Sequence, residues 1–145
     1  MDYREYAKDL LSRKKNLISA YSSLKTELEC LEQEKYACKT AITNLSSDEA
    51  ENKIYEERLI TILANIDDCR FRRSVVEREL LKIEKGMNGL DDYQKDLIEG
   101  FFVDKTIGIA DELMERWYKE RSSLYRDRSR ALDTFTRSVY GVLQL

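Results

Sequence analysis

Apolar residues recur every seven positions through the first third of the chain: Tyr3, Leu10, Leu17, Leu24, Leu31, Cys38 and Leu45. Ala7, Tyr21, Leu28 and Ile42 each stand three residues before a member of that series, with Lys14 and Lys35 as the polar exceptions. Two interleaved series at this spacing fall on one stripe of a helix, the a/d seam of a coiled coil, sustained for about six heptads. A second seam runs through Leu59, Ile66, Leu80 and Met87 in one position and Tyr55, Ile62, Cys69, Val76 and Ile83 in the other, interrupted by Arg73. Between the seams, Ser46 with Glu49, or Asp48 with Glu51, fits a capping box that opens a new helix. The pattern predicts two antiparallel helices, about 3–45 and 48–86, with a break near Ser47, Leu31 beside Leu63 to Ile66, and Leu17 beside Leu80. No glycine or proline forces that turn, so one uninterrupted helix in a parallel dimer is the competing arrangement.

Gly86-Met87-Asn88-Gly89 is the clearest punctuation in the chain and reads as a linker. Its spacing resembles the GxxG loop of KH modules, but no strands accompany it. Leu90-Asp91-Asp92-Tyr93-Gln94 then opens a helix with Asp91 and Gln94 as a capping pair, and Leu97, Ile98, Phe101 and Phe102 form its apolar stripe. The pattern breaks around Asp104-Lys105-Thr106. A second short helix, about Ile107 to Trp117, carries Ile109, Ala110, Leu113, Met114 and Trp117. After Tyr118-Lys119-Glu120 comes a third helix, about Arg121 to Tyr140. At roughly 100° per residue, Leu124, Ala131, Leu132, Phe135, Val139 and Val142 collect on one side of it. Arg126, Arg130 and Arg137 lie opposite, with Ser122, Ser129 and Asp133 beside them and Tyr125 on the flank. Arg128, at the edge of the apolar stripe, reads as structural, paired with an acid of the middle helix. The expected architecture is all-α: a long N-terminal antiparallel coiled-coil hairpin (1–86), then a small C-terminal tri-helical unit (87–145).

Composition narrows the chemistry. The chain has 145 residues, no proline, five glycines and no histidine. Without histidine, Ser-His-Asp and Cys-His catalysis and His-containing zinc sites are excluded. Asp67-Asp68 and Asp91-Asp92 are adjacent pairs whose carboxylates diverge on a helix, and no phosphate-binding glycine motif occurs. We expect no enzyme, no cofactor and no metal. Cys30, Cys38 and Cys69 lack CxxC spacing and read as reduced thiols; the N-terminus has no secretory segment, and no apolar run approaches a membrane span. The expected location is the cytoplasm. The net charge of −3 hides an asymmetry. Residues 90–115 hold two basic and eight acidic side chains, whereas 116–145 hold seven basic and three acidic.

An arginine row on the exposed face of the last of three helices suits major-groove DNA. Arginine makes bidentate contacts to guanine edges and to phosphates. Serine hydroxyls and free N–H groups at the helix start can meet a phosphate. The candidate DNA-binding residues are Arg121, Ser122, Ser123, Tyr125, Arg126, Ser129, Arg130 and Arg137. The plainer alternative is that any amphipathic helix needs a charged solvent face.

The segment from Leu90 to Gly141 resembles the region-4 helix-turn-helix of bacterial sigma-70-type factors and, more closely, the ArpU/RinA-like regulators of phages and prophages. The matching residues are Leu90-Asp91-x-x-Gln94-x-x-Leu97-Ile98, Leu113-Met114-x-x-Trp117, Glu120 to Arg126, Ala131-Leu132-x-x-Phe135 and Val139-Tyr140-Gly141. Trp117 stands where a leucine is usual, the turn lacks the common glycine, and Glu120 occupies a Ser/Thr-like capping position. The resemblance implies that Ser122, Ser123, Tyr125 and Arg126 start a recognition helix anchored by Leu124. It further implies a transcription regulator whose partners are double-stranded DNA, host RNA polymerase and a second copy joined through the coiled coil. The alternatives are a coiled-coil structural or adaptor protein, and a small terminase-like DNA-packaging subunit.

Overall fold

A computed structural model describes residues 1–44 and 49–145. Among these, every extended element is a helix: α1 (Tyr3–Ser12), α2 (Lys14–Asn44), α3 (Glu49–Asn88), α4 (Asp92–Ile98), a π-helical segment (Glu99–Asp104), α5 (Ile109–Trp117) and α6 (Arg121–Tyr140). None of them is long and apolar enough to cross a membrane. The expected break near Ser47 and the caps offered by Ser46 and Asp48 lie outside the described residues.

The expected first helix is not continuous. Arg13 sits between α1 and α2, its N–H shared between the Asp9 and Leu10 carbonyls at 3.2 Å each. Its guanidinium bonds the Asp9 carboxylate at 3.1 Å and approaches Glu79 at 3.5 Å. A heptad count cannot register such a break, because Leu10 and Leu17 keep their spacing across it.

The chain divides into two compact units, residues 1–18 with 78–145, and residues 19–77. This division cuts across the boundary at residue 86 expected from the glycines. In the 19–77 unit, α2 and α3 run antiparallel. The Cys69 thiol donates to the Leu24 carbonyl at 3.4 Å and the Cys38 thiol to that of Tyr55 at 3.1 Å. Cys38, Ile62 and Ile66 form a buried cluster against which Leu28, Leu31, Ile42, Tyr55 and Leu59 pack, as the two seams require. Arg73, the charged interruption, lies over the Tyr21 ring at 5.4 Å and donates to its hydroxyl at 3.3 Å. The aliphatic stem thus stays in the seam while the charge meets a π face.

The other unit is built around α6. Leu10, Leu11, Leu97, Ile98, Leu113, Leu124 and Phe135 are its large fully buried apolar side chains. Tyr3 of α1 packs its ring 5.4 Å from that of Tyr140. Arg4 Nε donates to Asp133 Oδ1 at 2.7 Å. The linker reading of Gly86 to Gly89 is corrected: α3 continues to Asn88, and Gly86 is buried within it. A Cβ built on Gly86 would lie 2.3 Å from the Phe135 ring. This glycine is a helical residue that lets α6 approach closely, not a flexible joint.

Candidate nucleic-acid interface

The expected capping box at the start of α4 is present. Asp91 Oδ1 accepts from the Gln94 N–H at 2.8 Å, and Gln94 Oε1 accepts from the Asp91 N–H at 3.1 Å. The helix widens to π geometry from Glu99 and stops at Lys105, which takes left-handed angles with φ 51°. Helix α5 begins two residues later than expected, at Ile109, and Ile107 is wholly exposed. An apolar residue beside a helix start carried no sign that it lay outside the core.

Three residues join α5 to α6. Tyr118 adopts the left-handed region with φ 53°, its side chain 95% exposed. Glu120 is the N-cap of α6 with extended backbone, and its carboxylate makes no capping bond. Leu97, Leu113 and Leu124, one each from α4, α5 and α6, form a buried cluster ringed by Tyr93, Phe101, Ile109, Ala110, Met114 and Trp117. Two buried-edge hydrogen bonds fix the aromatics. Trp117 Nε1 donates to Asp96 at 2.9 Å, and the Tyr93 hydroxyl donates to Asp127 at 2.9 Å. Burial first, and the Asp127 carboxylate second, push the Tyr93 phenol well above its ordinary range.

Helix α6 spans Arg121–Tyr140, and Leu124, Ala131, Leu132 and Phe135 are buried on one side. Val142 lies beyond the helix at 37% exposure, and Thr136 takes a fully buried place that the apolar pattern omitted. Its hydroxyl donates to the Leu132 carbonyl at 2.7 Å, which removes the cost of burying it. Arg126, Arg130 and Arg137 are exposed. At 100° per residue they fall within about 40° of one another, along about 16 Å of helix. None of the three has an ion-pair partner among the described residues.

The other candidate residues differ in how free they are. Arg126 Nη2 donates to Ser123 Oγ at 3.3 Å, which joins those two on the first turns. Ser122 is exposed at the helix start. Arg121 is paired with Asp111 at 2.9 Å. The Ser129 hydroxyl is turned back to the Tyr125 carbonyl at 3.2 Å. Tyr125 is half-buried, its ring 5.7 Å from that of Phe101. The acid partner expected for Arg128 is not found among the described residues; rings take its place. The Arg128 guanidinium lies 4.6 Å from the Tyr125 centroid and 4.9 Å from that of Phe101.

Most of the acidic block is bound internally. Asp96 accepts from Arg116 as well as Trp117, Glu99 pairs with Lys14, Asp104 with Lys15, and Glu112 with Arg116. No family model matches this sequence, and neither a curated protein nor a solved structure does so. Sequence reasoning missed Arg4, whose guanidinium neutralises Asp133 on the rim of the arginine row. Their separation of 129 positions leaves no local signal.

Proposed function

We propose that the chain is a phage- or prophage-type DNA-binding transcriptional regulator that acts through a sigma region 4-like helix-turn-helix formed by α4, α5 and α6. Helix α6 is the recognition helix. The observation that carries this reading is the row of exposed, unpaired arginines, Arg126, Arg130 and Arg137, on the face of α6 opposite its buried side. A three-residue α5–α6 turn supports it, as does the internal pairing of acids that would otherwise repel phosphate. Arg126 with Ser122 and Ser123 meets base edges or phosphate at the start of the helix. Arg130 and Arg137 meet phosphate further along. The antiparallel helices, α2 with most of α3, serve as a coiled-coil arm for a second copy or for host RNA polymerase.

Fluorescence-anisotropy titration of duplex DNA at several salt concentrations tests this. Neutralisation of about four phosphates gives a slope of log affinity on log salt of roughly −3.6. The Arg126→Ala/Arg130→Ala double variant should lose most binding and about 1.8 of that slope. A flat salt dependence in the wild type refutes the reading.

One observation favours a second reading, a structural or adaptor protein. Ile60, Phe71 and Val75 of α3 are 67%, 67% and 42% exposed. At 100° per residue they share a stripe turned away from the buried Ile62, Ile66 and Cys69. That reading predicts partner binding unchanged by Arg126→Ala.

A further inference from the structure

Beside the arginine row, α1, α6 and the π-helical segment enclose a cleft of about 380 Å³ whose lining includes Arg4, Lys8, Arg128, Ser129 and Asp133. Three of these five are cations and one is an acid. The acid, Asp133, is bonded by Arg4 at 2.7 Å, a guanidinium that also reaches Asp2 at 3.4 Å. Among the described residues Lys8 pairs only with Glu5, three residues earlier on the same exposed helix face, at 3.1 Å. Such a pair is weak and easily exchanged for a stronger anion.

Arg128 is the unusual member. Its guanidinium lies 4.6 and 4.9 Å from two ring centroids, and it has no ion-pair partner among the described residues. A guanidinium carries five N–H donors, and contact with two rings leaves them uncommitted to any acid. The rings hold the fork in place before any anion arrives, so little side-chain entropy is lost on binding.

We infer that this cleft is a seat for a DNA backbone phosphate, with Arg128 as the planar donor and Lys8 as the second charge, so that α1 extends the interface of α6. The inference rests on the DNA-binding reading above. It also gives Arg4 a positioning role: by neutralising Asp133, it keeps a carboxylate from facing the phosphate. A duplex lying along Arg126, Arg130 and Arg137 would bring the phosphate backbone past Ser129 and Asp133, on the flank of that row.

The test is a salt-dependent anisotropy titration of a random-sequence duplex with wild type, Lys8→Ala, Arg128→Gln, Arg4→Ala and Arg4→Ala/Asp133→Asn, with far-UV circular dichroism to confirm folding. Lys8 is exposed, so Lys8→Ala tests the cleft without disturbing a core. Removing the cation that neutralises one phosphate should reduce the salt slope by about 0.9 and weaken binding about eightfold near 0.1 M salt. Arg4→Ala should weaken binding and Asp133→Asn should restore it, a rescue that a purely structural Arg4 would not give. If wild type binds, loses binding with Arg126→Ala/Arg130→Ala, and yet is unaffected by Lys8→Ala and Arg128→Gln, the cleft assignment is overturned and the DNA reading survives. No binding by wild type overturns both. Inorganic phosphate should displace the duplex more than chloride does at equal ionic strength, and Lys8→Ala should abolish that difference; phosphate that binds through Lys8 and Arg128 without displacing the duplex would assign the cleft to a free anion and overturn the DNA assignment.

Discussion

Replacement of Gly86 by alanine should destabilise the unit that carries the arginine row, although alanine is the better helix former. Gly86 lies inside α3, where alanine over glycine is worth about 1 kcal/mol in favour of folding. Against that, the new Cβ would lie 2.3 and 2.4 Å from two Phe135 ring carbons and 2.8 Å from a Val139 methyl. Ordinary carbon–carbon separations are about 3.5–4.0 Å, so the ring must retreat by more than an ångström. Phe135 is fully buried and has no solvent to retreat into. Overpacking of this kind costs about 1–3 kcal/mol, and a shortfall on two ring atoms belongs at the upper end or beyond. The net loss is about 2 kcal/mol, a fall in Tm of roughly 8–16 °C for a unit of this size. Thermal melts followed by circular dichroism measure it directly. Adding Phe135→Leu, which removes ring atoms, should recover part of the Gly86→Ala loss relative to the two single effects, a coupling a double-mutant cycle reads out. A Gly86→Ala protein as stable as wild type would refute the close-approach argument and return the glycine to its reading as a joint.

Tyr118→Gly should raise stability by about 0.5–1 kcal/mol in a urea titration, because the exposed Tyr118 holds φ 53° without compensating contacts. Asp91→Ala removes the α4 capping box and should cost about 1 kcal/mol, measured by the same titration. Tyr93 has its acidity suppressed in the fold, so its contribution is complete below the unfolded phenol pKa of about 10 and is lost as pH rises toward the folded value. Stability should therefore fall with pH above about 10, and Tyr93→Phe should flatten that alkaline slope. If the slope is unchanged in Tyr93→Phe, the Tyr93–Asp127 bond is not its source.

The helical periods were legible because burial on one side leaves a record every three or four residues. Leu31, Cys38, Ile62, Ile66 and Cys69 could all be placed on seams, and α6 keeps its expected bounds, although the apolar pattern ran on to Val142 beyond it. The Asp91–Gln94 box was legible for the related reason that its partners stand three residues apart. What escaped depended on distant residues. Gly86 reads as punctuation until Phe135 is known to lie against it, and Arg4 carries no signal until Asp133 is found beside it. The break at Arg13 is invisible for another reason, since a spacing of seven between Leu10 and Leu17 survives a local change in backbone geometry. Of the candidate interface, the exposed arginine row came from periodicity alone. The bonds that engage Arg121, Ser129 and Arg128 needed coordinates.

Trp117 is the only tryptophan of the chain, and it belongs to the 1–18 and 78–145 unit, hydrogen-bonded to Asp96 and 5.2 Å from the Tyr93 ring. Indole emission therefore watches the α4–α5 packing and is blind to melting of residues 19–77. Far-UV dichroism, by contrast, weighs every helix. Transitions that coincide by the two methods would mean the units unfold together. A dichroism loss that precedes the red shift of the indole would show the long antiparallel pair melting by itself, and would make one optical probe a selective gauge of the arginine-bearing unit during any titration.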